Sequence, residues 1–279
     1  MSDSLVSLLI PAYNEERTVG AVIEDTSEVM RLYGLPYEII VVNDGSTDDT
    51  QQVASSTCKA TVLTNAPNRG KGYCLRKAFE QAKGDIIVTL DSDGEHKPNE
   101  IPDLITPLFE DNDVVSGSRF MNNQLDVTTK INQIGNFLLN IVIMYLTGKQ
   151  ITDSQTGFRA MKREVLQKIN LQSDGYEIES EITIKSLRNG FKLLEVPVTV
   201  ERRKYNMSKI KILADGKKIL STIIQSSLSQ LEQNQKQQQI RPNGNFFYDT
   251  SQRIASIISY VNFSRRIRPL PEPSTSQQI

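Results

Sequence analysis

The chain has 279 residues, 38% of them hydrophobic and 23% charged, which is enough for one large domain plus an appendage. Its single histidine, His96, has no nucleophile loop around it, and Cys58 and Cys74 show neither metal-ligand nor Cys-x-x-Cys spacing; serine, cysteine and zinc hydrolases are therefore poor readings, and a reducing, intracellular setting is expected. The net charge of −1 hides an asymmetry, since residues 1–200 carry 19 Lys+Arg against 28 Asp+Glu, whereas residues 201–279 carry 13 against 5, a net of +8 suited to an anionic surface.

Strands are predicted over residues 6–10, 38–43, 61–64, 86–90 and 114–117. The first leads into Pro11-Ala12-Tyr13-Asn14-Glu15-Glu16, the second into Asp44-Gly45-Ser46-Thr47-Asp48-Asp49-Thr50 and the fourth into Asp91-Ser92-Asp93. Helical spacing puts Val19, Val22, Ile23, Thr26 and Met30 on one face after the first strand, and Leu75, Ala78, Phe79 and Ala82 on one face before the fourth. This alternation predicts an α/β fold whose mostly parallel sheet is covered on both faces. Sheets of that kind bind ligands at the carboxyl ends of their strands.

Beyond residue 117 the alternation is less regular. A helix is predicted over 131–148, with Asn132, Asn136 and Asn140 as a polar stripe opposite Ile134, Leu138, Ile141 and Tyr145, resting by its apolar side on the core or on a membrane interface. An acidic helix over 177–188, a strand over 193–200 and a helix-like run over 212–228 complete a domain spanning 1–228. A Gln-rich linker is expected over 229–252, then a basic amphipathic segment over 253–279 in which Ile254, Ile257, Ile258 and Val261 precede Arg265, Arg266 and Arg268. No run reaches the roughly 18–20 apolar residues of a membrane span.

Asp91 and Asp93 form the most informative pair. Extended backbone points both carboxylates to one side, where their repulsion is relieved by a cation lying between them and a ligand, an arrangement suited to a divalent metal holding a diphosphate. Pro11 fixes the backbone leaving the first strand, Tyr13 offers a flat face to a base, and Asp44 is placed to accept a hydrogen bond from a uracil or guanine ring N–H. Asn68-Arg69-Gly70-Lys71-Gly72 is not a Walker loop, because Asn65 stands where its first glycine is required and Gly72 replaces the Ser/Thr. Its glycines permit close backbone approach to a nucleotide or simply a helix-entry turn. Glu15 and Glu16, like Glu177, Glu179 and Glu181, also suit first turns of helices, where acids complement the dipole, and one of the last three is alternatively a contact to sugar hydroxyls or a base for a hydroxyl acceptor. His96 opens the Lys97-Pro98 turn and reads as structural.

The ordered set PAYNEE, VVNDGSTDDT, NRGKG, DSD, GSR, DSQTGFRAM and EVPVTV, spread over residues 5–215, resembles the family 2 glycosyltransferases of GT-A fold, and more closely the polyprenyl-phosphate (dolichyl-phosphate) sugar transferases. The resemblance implies a donor site of Pro11, Ala12, Tyr13, Glu15, Asp44, Lys71, Asp91, Ser92 and Asp93, with Asp44 on the base. It implies Mg2+ or Mn2+ on Asp93, with Asp91 on the ion or the ribose, and Glu95 as a third oxygen ligand where similar enzymes often carry glutamine. Phosphate contacts are implied for Arg119, Lys130, Arg202, Ser208 and Lys209, although Lys130 stands where arginine is common and Asn206-Met207 where a glycine usually precedes Ser-Lys. Asp153 and Gln155 match the second acidic motif, near the sugar. Asp91, Asp93, Asp153 and Arg119 are thus the expected catalytic set.

A phosphate monoester is largely ionised near neutral pH and attacks an anomeric carbon without a general base, provided positive charge holds it. The expected reaction is a metal-dependent, inverting transfer of a hexose from a nucleoside diphosphate sugar (GDP-mannose or UDP-glucose/UDP-GlcNAc) to a polyprenyl phosphate, by a protein peripherally bound at the cytoplasmic face of a membrane. Transfer to a glycan hydroxyl is one rival, weakened because the Gln-x-x-Arg-Trp motif usual there requires a tryptophan and this chain has none. A catalytically silent nucleotide-binding scaffold is the other. Nucleic acid is not an expected partner, since few aromatics interleave the basic residues.

Overall fold

The computed structural model describes residues 4–121, 130–201 and 215–227, which belong to one compact unit, Met1–Ser227. The linker and basic segment expected over 229–279 lie outside the described residues, as do Arg202, Ser208, Lys209 and the side chain of Lys130.

Seven strands form one sheet: β1 Val6–Ala12, β2 Tyr37–Asn43, β3 Thr61–Thr64, β4 Ile86–Thr89, β5 Val114–Ser118, β6 Arg159–Lys162 and β7 Leu193–Pro197, in the order β3-β2-β1-β4-β6-β5-β7. The pairs β1–β2, β2–β3, β1–β4 and β5–β7 are parallel, and β6 runs antiparallel to both β4 and β5. Alternation along the central strands feeds two cores. Leu8, Ile10, Ile39, Val41 and Val88 point into one, packed with Val19, Ile23 and Met30 of α1 (Val19–Tyr33) and Ile101 and Leu104 of α4 (Ile101–Ile105), while α2 (Thr50–Ser56) contributes Ala54. Leu9, Ile40, Val42 and Ile87 point into the other, packed with Leu75 and Ala78 of α3 (Lys71–Gln81), Val165 and Ile169 of α6 (Arg163–Ile169) and Ile178 and Ile182 of α7 (Ile178–Arg188). Apolar strands buried on both faces are what a helix-covered parallel sheet demands.

β6 is absent from the expected elements. Two charged residues flank its two apolar ones, so its four residues carry no readable period. Its reversed direction matters for function. Because β6 is antiparallel to β4, with Thr89 opposite Arg159, the segment entering β6 lies at the same edge as the carboxyl ends of β1, β2, β4 and β5.

The helix expected over 131–148 is α5, Lys130–Thr147, and its polar stripe faces the other way from a core-packed amphipathic helix. Asn136 and Asn140 are buried with Ile143 and Leu146, whereas Ile134, Phe137, Leu138, Ile141, Met144 and Tyr145 are exposed. The cause is the loop beneath. Asn140 donates to Thr152 O at 2.7 Å and accepts from Ser154 N at 3.2 Å, and Asn136 donates to Asp153 Oδ1 at 2.8 Å. A side-chain amide supplies the donor and the acceptor that buried irregular backbone requires. A further helix, α8, covers 215–227.

Gly72 shows how tightly the two halves meet, since a Cβ there lies 2.3 Å from Ser173 O and 2.9 Å from two backbone carbons. Gly72→Ala is expected to destabilise the fold by about 2 kcal/mol through overpacking. Gly135→Ala, inside α5 with nothing within 4 Å of the added carbon, is expected to stabilise it by about 0.5–1 kcal/mol. Chemical denaturation of the two variants checks the contrast, and equal shifts contradict the packing described.

Candidate active site

Two loops after β1 and β2 are sewn together. Asn14 N donates to Ser46 Oγ, Asn14 Oδ1 accepts from Thr47 N, and Glu15 N donates to Thr50 Oγ1 at 2.7 Å. Glu15 is buried and its carboxylate accepts from Thr18 Oγ1, while Tyr13 stays half-buried at the same edge. Asp44 accepts from Asn65 Nδ2 (2.8 Å) and Arg69 N (2.9 Å) at Oδ1, and from Gly70 N (2.7 Å) at Oδ2. It therefore shapes the 65–72 loop.

Lys71 opens α3 and reaches across the crevice. Its Nζ lies 2.6 Å from Asp91 Oδ1 and 2.8 Å from Glu179 Oε1. Burial lowers the ammonium's affinity for its proton, but the two carboxylates outweigh this and hold its pKa above the ordinary value. Gly157 fits against this pair, because a Cβ there meets Lys71 Nζ at 2.5 Å and Asp91 Oδ2 at 2.7 Å. Ser92 donates to Pro11 O at 2.9 Å, tying the Asp91–Asp93 segment to the end of β1, and Asp93 Oδ1 accepts from Glu95 N at 3.0 Å.

Asp91 and Asp93 fit a hard divalent cation, as an all-oxygen pair at a position where Asp91 already takes a positive group. Among the described residues no three acidic, histidine or cysteine side chains converge as a ready-made metal cage.

On the other side Arg119, just past β5, forms a two-point pair with Asp153: Nε to Oδ2 at 2.6 Å and Nη2 to Oδ1 at 2.8 Å. Asn136 Nδ2 and Gln155 N also donate to Asp153 Oδ1, and Arg119 N to Oδ2. Burial alone would raise the Asp153 pKa, but the Arg119 charge and these hydrogen bonds hold it below the usual carboxylate range. Burial likewise opposes the Arg119 charge, and Asp153, with Glu95 and Asp91 behind it, holds the guanidinium above its ordinary value. Gln155 donates through Nε2 to Ser154 Oγ at 3.0 Å and also to Ser180 Oγ.

His96 is buried and stacked on Phe158, ring centroids 5.0 Å apart. Burial pushes its pKa down to about 4, so it is neutral at physiological pH.

Sequence reasoning missed several supporting residues. Glu195 of β7 accepts Thr152 N and Asp153 N at 2.8 Å each. Arg159 is fully buried and binds Thr156 O, Ser154 O and Thr183 Oγ1. A lone glutamate inside the apolar run Leu193-Leu194-Glu195-Val196 was the available signal. The three glutamates grouped as first-turn acids also separate. Glu181 accepts from Gln172 N and Ser173 N and pairs with Lys185, Glu177 accepts from Gly175 N, and Glu179 alone enters the crevice.

The strand ends thus present paired acids and bases to one crevice. The chain belongs to glycosyl transferase family 2, whose pattern matches residues 7–170, and it is a glycosyltransferase. It is 31% identical over 252 residues to the UDP-N-acetylglucosamine–dolichyl-phosphate N-acetylglucosaminyltransferase of Methanococcus voltae, covering 80% of this chain and 96% of that one. It is 30% identical over 213 residues to the dolichol-phosphate mannosyltransferase of Pyrococcus furiosus, covering 74% of this chain and 59% of that one. The fold is that of glucosyl-3-phosphoglycerate synthase from Mycobacterium tuberculosis in complex with phosphoglyceric acid, with TM-score 0.65, 24% identity and 80% of each chain covered. The same enzyme with Mg2+ and UDP matches at TM-score 0.64 and 26% identity, over 80% of this chain and 79% of that one.

Asp153→Asn strands the Arg119 charge and is expected to cost about 3 kcal/mol. The Asp153 pKa is lowered on folding, so its contribution is present above the unfolded value of about 3.9 and is lost as pH falls through the lower folded value. Melting curves from neutral to acid pH should show a steeper acid loss in the parent than in the variant, and parallel curves contradict the pairing.

Proposed function

We propose that the protein transfers a hexose from a nucleoside diphosphate sugar to a polyprenyl phosphate, with inversion, aided by Mg2+ or Mn2+ and acting from the cytoplasmic face of the membrane. The carrying observation is the similarity to a dolichyl-phosphate sugar transferase across 96% of that enzyme's length. Pro11, Ala12, Tyr13, Glu15 and Asp44 form the base-side wall, with the outer lone pairs of Asp44 offered to a ring N–H. The residues that would hold the ion are Asp91 and Asp93, with Glu95 next to them, and a bound divalent ion supplies charge stabilisation for the departing diphosphate.

The remaining steps belong to the chain itself. Arg119, locked by Asp153, holds the acceptor phosphate. An acceptor oxygen forms a bond to the anomeric carbon on the face opposite the leaving group, while the bond to the β-phosphate oxygen breaks and its electron pair leaves with the nucleoside diphosphate. No proton need be removed, consistent with the neutral, stacked His96 and the fully engaged Asp153. Lys130, Arg202, Ser208 and Lys209 are further phosphate contacts in this reading, Gln155 faces the sugar, and the basic residues of 201–279 assist attraction to anionic lipid.

The phosphoglyceric acid in one solved complex of the same fold favours testing a soluble phosphorylated acceptor alongside. The protein is incubated with labelled GDP-mannose, UDP-glucose or UDP-GlcNAc, with Mg2+ or Mn2+, and with polyprenyl phosphate or phosphoglycerate. Label extracted into organic solvent supports the proposal, whereas label only in phosphoglycerate products refutes it. Asp93→Asn is expected to lower the transfer rate by more than ~100-fold, several kcal/mol of transition-state stabilisation. An Asp93→Asn enzyme with unchanged rate and ion dependence overturns the ion assignment.

A further inference from the structure

We propose that Glu100 is a positioning residue for the transfer reaction: it clamps the segment 198–201 against the loop that follows Asp93, and so fixes the point from which the chain continues into Arg202. The role rests on the acceptor-phosphate reading of Arg202 given above. Past β7 the chain parts from β5. Val198 N still donates to Ser118 O at 3.1 Å, and Gly117 makes room for it, since a Cβ there lies 2.7 Å from Val198 Cγ1. Two residues on, the partner changes. Val200 forms an antiparallel bridge with His96, and Glu201 N donates to Glu95 O at 2.9 Å. The segment thus runs from the edge of β5 to the loop that carries Asp93 and Glu95. Extended backbone alternates its side chains, so Val198 and Val200 are buried while Thr199 and Glu201 point the other way, toward Glu100 and Lys97.

The strengths of these contacts decide which one holds the segment. Lys97 Nζ lies 3.4 Å from Glu201 Oε1, with side chains 40% and 46% exposed, and solvent screens such a pair to little effect. Glu100 is different. Its two carboxylate oxygens each accept from Thr199 N at 3.0 Å, and Oε1 also accepts from Thr199 Oγ1 at 2.6 Å. Hydrogen bonds to an ionised acceptor are roughly twice as strong as neutral ones, and these grip the backbone and the side chain of one residue together. Glu100 ends the 3-10 turn Pro98–Glu100 that leads into α4, while His96, stacked on Phe158, anchors the near end of the same loop. A single backbone hydrogen bond, Glu201 N to Glu95 O, then joins the residue before Arg202 to the residue implied as third ion ligand. Releasing Thr199 would shift the attachment point of Arg202 relative to Glu95, and a misplacement of ~1 Å can cost about 100-fold in rate.

Glu100→Gln in the full chain keeps the shape and removes the charge. Amide hydrogen exchange should quicken about tenfold at Thr199 and Glu201, with the amides of β2 at parental rates. The KM for a short, soluble prenyl phosphate should rise about tenfold and the KM for the nucleotide sugar should not. Thr199→Val, which removes the hydroxyl and leaves the amide, should move the same readouts by about threefold, and it carries the test if Glu100→Gln does not fold. A double-mutant cycle with Arg202→Ala decides the role. If Glu100 acts on Arg202 through the segment, Glu100→Gln adds nothing to the acceptor KM once Arg202 is gone, whereas a merely structural role gives additive effects. Additivity, unchanged exchange, or quickened exchange with a parental acceptor KM overturns the proposal and leaves the acceptor reading in place. A parent that glycosylates phosphoglycerate and no prenyl phosphate overturns the acceptor reading, and the same cycle on the phosphoglycerate KM then decides the positioning role. A parent that uses neither overturns both.

Discussion

A carboxylate can be buried only if its charge is balanced and its lone pairs are taken. Asp153 meets both conditions by drawing donors from separate parts of the chain: the guanidinium and backbone of Arg119 after β5, the amide of Asn136 on α5, and the backbone of Gln155 in its own loop. Glu195 on β7 then grips the loop's own N–H groups. The loop, the helix above it and two strands are thereby fixed to one another by two carboxylates, Asp153 and Glu195. Arg119 gains a fixed orientation from the arrangement, and that preorganisation would suit the phosphate contact proposed for it.

The loops after β1 and β2 are organised differently. There the backbone carries most of the precision: Asp44 collects two N–H groups of the 65–72 loop, and Gly72 lets that loop touch the 173–175 backbone with no side chain between them. One half is thus arranged around a buried charge and the other around close backbone packing. Lys71, reaching both Asp91 and Glu179, bridges them.

Much of this was legible in the sequence. The parallel half announced itself because strands such as Leu8-Leu9-Ile10 and Ile39-Ile40-Val41-Val42 are apolar on both faces and end in polar clusters, so both the strands and their functional ends could be placed. The second half hid for physical reasons. β6 is too short and too charged for periodicity to show, and its antiparallel insertion depends on pairing between strands far apart in sequence. The orientation of α5 could not be read from its own pattern, because two asparagines facing inward make sense only once the Asp153 loop lies beneath them. Arg159 and Glu195 lie within motifs visible in the sequence, yet the buried backbone each satisfies is brought near only by folding.

The position of Lys71 bears on how the crevice holds charge. Two carboxylates, Asp91 and Glu179, share one ammonium that is mostly buried. The crevice is thus partly neutralised by a covalently tethered cation. Any second cation brought to Asp91 would meet this resident charge, and an ammonium freed from Asp91 would keep Glu179 as its counter-ion.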